Sequence, residues 1–159
     1  MDTAIRKATK ADMAQVLELI KELAVFEREP DAVHITVGEL QRDGFGADPM
    51  FTCFVAESQA EIVGMALVYF RYSTWKGRTV HLEDLIVKEK MRGKGVGNAL
   101  YTKVIKYTHD LGVKRLNWVV LGWNKEAIRF YERSGATIMD EWWQVEMDAT
   151  VMEKFIENN

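Results

Sequence analysis

The run Arg92-Gly93-Lys94-Gly95-Val96-Gly97 carries the densest chemical signal in the chain. It lies between an apolar strand-like stretch and the first residues of a helical pattern. At a helix start, unpaired backbone N–H groups and the positive end of the helix dipole bind anions. Glycines let the backbone approach a diphosphate closely and take positive φ without a Cβ clash. Lys88, Lys90, Arg92 and Lys94 place cationic side chains around the same turn. The spacing points to a phosphorylated cofactor. A Walker loop would need Lys-Ser/Thr after its last glycine, where the chain has Val96-Gly97-Asn98. A dinucleotide fingerprint read from Gly95 and Gly97 would need Gly or Ala where Leu100 stands.

Just upstream, His81-Leu82-Glu83-Asp84-Leu85-Ile86-Val87 sets two acids inside an apolar strand. Alternation puts His81, Glu83, Leu85 and Val87 on one face and Leu82, Asp84 and Ile86 on the other. At least one carboxylate is then partly buried, unless a bulge intervenes. Burial raises a carboxylate pKa and a nearby ammonium lowers it, which suits general-base work or amine binding. The competing reading is a carboxylate satisfied by backbone N–H groups at a sheet edge. Downstream, Tyr131 offers a phenol that can protonate a thiolate leaving group, or else a core residue with a satisfied hydroxyl. Asn124 is both a helix N-cap and a candidate ligand of a cofactor arm. His81 has no second His or Cys at ligand spacing, so no metal site is expected.

The elements that must hold these residues follow from periodicity. Met13, Val16, Leu17, Ile20, Leu23 and Ala24 repeat at helical spacing after a Thr9–Asp12 capping box, and Glu29-Pro30 ends the helix. Thr36 with Glu39 opens a shorter helix that stops at Gly44-Phe45-Gly46. Phe51 to Glu57 and Ile62 to Tyr72 read as an antiparallel hairpin, and Thr79 to Lys88 as a third strand. A helix over about Gly97 to Leu111 ends at Gly112, and a strand over Arg115 to Leu121 follows, giving a parallel crossover. Asn124 caps a helix running to Ser134, Thr137 to Asp148 reads as a last strand, and a short helix follows Thr150. The fold class expected is α/β: a mixed sheet flanked by helices on both faces, with residues 1–159 forming one domain.

Composition narrows the function. With 159 residues, 48% hydrophobic and 28% charged at a net charge of -3, nothing points to nucleic acid or a membrane surface. The longest apolar stretch, Ile62 to Phe70, is too short to span a bilayer, and the N-terminus lacks a signal peptide's apolar core. Cys53 is the sole cysteine and sits in an apolar run, so it reads as a buried structural thiol in a reducing, cytoplasmic setting.

An acidic strand, the Arg92–Gly97 turn opening a helix, and Trp123-Asn124 through Tyr131 before Gly135-Ala136 stand in one order. That order, with the Arg-x-x-Gly-x-Gly turn, resembles the GCN5-related N-acetyltransferases over nearly the whole chain, with a mostly antiparallel sheet. Ile20-Lys21-Glu22-Leu23-Ala24, Asp43-Gly44-Phe45-Gly46, Leu82-Glu83-Asp84 and Trp123-Asn124 look like the diamine (spermidine/spermine) acetyltransferase branch. Tyr72 to Arg78 looks most like its thialysine acetyltransferase relatives.

The resemblance implies acetyl-coenzyme A as cosubstrate and a small primary amine as acceptor. It implies that Leu85, Ile86 and Val87 offer strand backbone to the acetyl and pantetheine part. Arg92, Gly93, Lys94, Gly95, Val96, Gly97 and Asn98 would hold the pyrophosphate, and Asn124, Lys125, Glu126 and Ala127 the pantetheine and adenosine side. Tyr131 matches the proton donor to the thiolate, and Glu83 the acid that binds or deprotonates the amine. Phe26, Glu27, Trp75 and Asp140 match substrate-pocket positions, with Glu141 the alternative to Asp140. The branch's polyamine enzymes carry an acid in place of Ser73 and a tyrosine in place of Phe26, and Lys76 adds positive charge, so a long polycation should bind less well. Relatives of this kind form homodimers, and the doubly apolar segment Trp142 to Met147 agrees. Two alternatives remain: a protein lysine or N-terminal acceptor, and a coenzyme A-binding module without turnover.

Overall fold

The computed structural model describes residues 3–158. They form two compact units, one up to Val119 and one from Val120 onward.

The first unit is built on a five-stranded sheet: β1 (Ala4–Lys7), β2 (Thr52–Ser58), β3 (Glu61–Ser73), β4 (Gly77–Val87) and β5 (Leu116–Asn117). They lie side by side in sequence order, β1 to β4 antiparallel and β5 parallel to β4. On one face lie α1 (Met13–Phe26) and α2 (Val37–Phe45). Met13, Val16, Leu17, Leu19 and Leu40 pack there with Cys53, Val55, Met65, Leu67 and Ile86. On the other face, Val96, Leu100 and Val104 of α3 (Val96–Asp110) pack with Phe54, Ala56, Ala66, Val68, Val80 and Leu82. Gly64 of β3 permits this closeness, since a Cβ there would stand 2.9 Å from the Ile86 carbonyl oxygen and 3.1 Å from Leu100.

The expected caps form. Thr36 Oγ1 accepts from the Glu39 N–H (3.2 Å) while Glu39 accepts from the Thr36 N–H (2.8 Å), an arrangement that stabilises α2 by about 1 kcal/mol. Asp12 accepts from the Thr9 N–H at 2.6 Å and also takes a two-pronged contact from Arg6 (2.8 and 2.9 Å), which in turn donates to Glu57. This ion-pair group ties β1 to the start of α1 and to β2.

Three expectations need correction. The strand β1 is absent from the periodicity reading because its four residues carry no alternation; pairing of Ala4–Lys7 with Glu57–Phe54 makes it a strand. The strand expected over Arg115 to Leu121 contracts to Leu116–Asn117, the residues that meet Val80 and His81. The strand expected over Thr137 to Asp148 does not form: no ladder among the described residues pairs this stretch with another strand, and the segment is exposed. There Trp142, Trp143 and Val145 remain exposed. The second unit otherwise consists of α4 (Lys125–Arg133), which ends in Ser134 and a left-handed Gly135, and α5 (Ala149–Glu157), capped by Asp148.

Candidate active site

The turn after β4 takes the form an anion site requires. Gly93 (φ 72°) and Gly95 (φ 83°) are left-handed, and Gly95 is the N-cap of α3. Apart from the adjoining residues, no atom of the described residues lies within 4 Å of a Cβ built on either glycine, so the turn leaves room for a ligand to approach. Arg92 Nε donates to the Val87 carbonyl (3.1 Å), and its guanidinium stands 5.3 Å from the Phe26 ring centroid, joining the end of α1 to the turn.

The cationic collar is thinner than the sequence implies. Lys88 and Lys90 both engage Glu61, at 2.8 and 2.7 Å, and hold its carboxyl down to about 2. Arg92 and Lys94 are the members of the four that lie outside that pairing. What this turn offers an anion is therefore mainly backbone N–H groups and the helix dipole.

In β4 a bulge changes the faces. Leu67 pairs with Asp84 and Val68 with Leu82, leaving Glu83 without a partner across the ladder. An extra residue reverses the alternation beyond it. Accordingly Leu82 packs on the α3 face, Leu85 and Val87 lean to that same side, and Ile86 joins the α1 side. The simple alternation is thus overturned at the one place where the sequence reading allowed for a bulge. Asp84, not Glu83, is the half-buried acid. Loss of solvation, with the charges of Glu83 and Glu27 nearby, pushes its carboxyl up to about 7. Glu27, at the end of α1, is also raised by partial burial.

Glu83 is half exposed, with 51% of its side chain accessible. Its carboxylate lies beside the Tyr69 hydroxyl, where with burial it pushes that phenol up, and stands 3.6 Å from His81 Nε2. Beyond His81, no strand of the described residues borders the β4 edge opposite β3. The backbone of Leu85 to Val87 therefore runs between the bulge and the anion turn along an unladdered edge, where an extended amide-bearing ligand can add as a strand would.

The first unit thus brings together Phe26, Glu27, Glu83, Leu85, Ile86, Val87 and the Arg92–Asn98 turn. Trp75 is set apart, at the exposed tip of the β3–β4 hairpin, about 20 Å along β4 from Glu83. Ser73 shapes that tip: its Oγ accepts from the Trp75 and Lys76 N–H groups at 3.2 Å and from Arg115 at 2.9 Å. Asp84 was the residue missed, and its signal was the pair of adjacent acids in an apolar strand.

In the second unit, Asn124 Oδ1 accepts from the Ala127 N–H (3.2 Å) and caps α4, whose first turn holds Lys125, Glu126 and Ala127. Tyr131 is buried one turn further on, its ring 5.3 Å from that of Phe130. Asp140 and Glu141 lie in an exposed turn. Cys53 is buried, and its thiol is pushed up to about 12, which removes it as a nucleophile. Among the described residues no group of His, Cys, Asp or Glu is arranged to hold a metal.

Comparison with known proteins agrees with this geometry. The pattern of the acetyltransferase (GNAT) family matches residues 13–136. Thialysine N-epsilon-acetyltransferase of Bos taurus is 41% identical over 145 residues, 86% of this chain and 85% of that protein. Spermidine/spermine N(1)-acetyltransferase-like protein 1 of Homo sapiens is 34% identical over 139 residues, 83% of this chain and 20% of that longer protein. An integron cassette protein from the mobile metagenome of V. cholerae superposes with a TM-score of 0.80 over 99% of both chains at 20% identity, a likeness of fold alone. The chain therefore belongs to the acetyltransferase (GNAT) family and catalyses acetyl-coenzyme A-dependent N-acetylation.

Proposed function

We propose that the acceptor is the primary amine of a small molecule of the thialysine, lysine or diamine type, and that residues 1–159 act as one catalytic domain. The observation that carries this reading is the bulge: it sets Glu83 half exposed, with Asp84 and Glu27 close by, at the start of the β4 edge that leads to the anion turn. Three acids around one point favour a small cationic amine. The 41% identity to a thialysine acetyltransferase supports the same class.

The bound cosubstrate supplies a thioester, an acyl donor poised for amine attack. Backbone N–H groups of Gly93 to Asn98 hold its diphosphate, and Leu85 to Val87 align its amide arm and polarise the carbonyl. Glu83 binds the ammonium and takes its proton, leaving a nitrogen lone pair to form the C–N bond. As the C–S bond breaks with its electrons on sulfur, Tyr131 gives the thiolate its phenolic proton, and the second proton that the nitrogen sheds as the amide forms passes through water to restore the phenol. Asn124 to Ala127 line the cofactor arm, and Phe26, held against Arg92 at the end of α1, contributes to the amine pocket. The working form in this reading is a cytoplasmic homodimer, supported by the exposed apolar residues Trp142, Trp143, Val145 and Met147. No helix among the described residues is long and apolar enough to cross a membrane.

Thiol release from acetyl-coenzyme A, measured with thialysine, lysine, ornithine, putrescine and spermidine, tests the acceptor class. Highest kcat/KM with an amino acid or short diamine is expected. Preference for a lysine-containing peptide over all five would overturn the proposal.

A further inference from the structure

The Glu83 carboxylate sits at the bulge, with no residue opposite it in the ladder to pack against, yet it acts in the proposed reaction as an oriented group. His81, two residues earlier in β4, accounts for that orientation. Its ring is buried, with 7% of the side chain accessible, and its centroid is 5.2 Å from that of its cross-strand partner Tyr69.

The ring's protonation follows from what surrounds it. His81 Nδ1 is 3.2 Å from Arg71 Nη1. A guanidinium has donors and no acceptor, so Nδ1 must be the bare, accepting nitrogen. In a neutral imidazole the proton is then on Nε2, the nitrogen that faces Glu83 Oε2 at 3.6 Å. Burial pulls the ring's pKa below its ordinary value, and the Arg71 charge acts in the same direction, both keeping it neutral, while Glu83 opposes them. Arg71 itself is fixed: with the Asn117 amide turned to satisfy both its ends, Nη1 also donates to the Asn117 oxygen (3.0 Å) and Asn117 donates to the Val80 carbonyl (3.3 Å). The charged and titratable groups facing the ring are thus Arg71 and Tyr69 from β3 and Glu83 from β4.

We propose that His81 is a positioning residue for Glu83: Arg71 locks the ring as its Nε2–H tautomer, and that N–H, with the Tyr69 hydroxyl, holds the half-exposed carboxylate in the orientation that receives the amine. At 3.6 Å the pair attracts as charge and dipole, and a small rotation of Glu83 closes it to a hydrogen bond. The inference rests on the reading of Glu83 as the amine-handling acid.

The test compares His81→Phe, which keeps a ring and removes the N–H, with His81→Gln, whose amide nitrogen reaches about as far as Nε2. Nitrogen-15 spectra of the wild-type imidazole are recorded alongside. Expected are a neutral Nε2–H signature from neutral pH upward, and an amine KM raised roughly three- to tenfold in His81→Phe with acetyl-coenzyme A KM unchanged. His81→Gln should return the amine KM toward wild type. An Nδ1–H or imidazolium signature in that range overturns the inference, as does His81→Gln no better than His81→Phe. Wild type that turns over beside a His81→Phe variant of unchanged amine KM overturns it too. A wild-type chain that releases no thiol with any amine overturns instead the reading beneath it.

Discussion

Replacing Asp84 by Asn should make the protein more stable at pH 8 than the parent while changing little near pH 4. Asp84 sits half-buried beside Glu83 and Glu27, and its carboxyl is raised from 3.8 to about 7 in the folded chain. Between those two values the folded state holds a proton that the unfolded chain has released, so stability falls as pH rises through that window and levels off above it. Each unit is worth about 1.4 kcal/mol, so a shift of about three units costs the wild type about 4 kcal/mol by pH 8. Asn has the same shape and no charge to bury, and escapes this cost. Urea unfolding of both proteins at pH 4.5, 6 and 8 measures the effect, since other titrating groups cancel in the difference. With a urea slope of about 2 kcal/mol per molar, the midpoint of Asp84→Asn should exceed the parent's by about 2 M at pH 8, and by much less at pH 4.5. A midpoint difference that stays constant across the three pH values would refute the placement of a desolvated carboxyl at the bulge.

Gly95→Asp puts an anion against the diphosphate and a side chain at φ 83°; at about 4 Å and an effective dielectric near 20 the repulsion is about 4 kcal/mol. Calorimetry should show acetyl-coenzyme A affinity reduced at least about a hundredfold with the circular dichroism spectrum retained. Arg6→Met strands Asp12, whose carboxyl Arg6 holds well below the usual range, and should cost about 2 kcal/mol at pH 7. Because that carboxyl is depressed in the folded state, its contribution is present above about pH 4 and lost below it. The two proteins should accordingly converge in urea midpoint toward pH 2.

Local signals carried most of the first unit. The Thr36–Glu39 cap lies within a single turn, and the repeat from Met13 to Ala24 lies within one helix, so the sequence exposes both. What stayed hidden depends on distant partners. The bulge at Glu83 exists because β3 and β4 slip by one residue between Leu67 and Val68, and nothing in the β4 sequence alone fixes that slip. Lys88 and Lys90 read as collar cations until Glu61 is brought against them across the sheet. Trp142 to Met147 has the apolar character of a strand, but a strand also needs a partner edge, and sequence pattern cannot supply one. The left-handed turn at Gly93 and Gly95 and the start of α3 were legible because glycine spacing and helix start are both local.

The kcat of Tyr131→Phe, measured with saturating acetyl-coenzyme A and thialysine, tests the proposed chemistry most directly. The substitution keeps the ring that α4 buries and removes the phenolic proton alone. General acid catalysis contributes about two to four powers of ten, so kcat should fall by about that factor while the melting temperature and acetyl-coenzyme A affinity hold. A kcat near that of the wild type would contradict the account and leave Tyr131 a packing residue of α4.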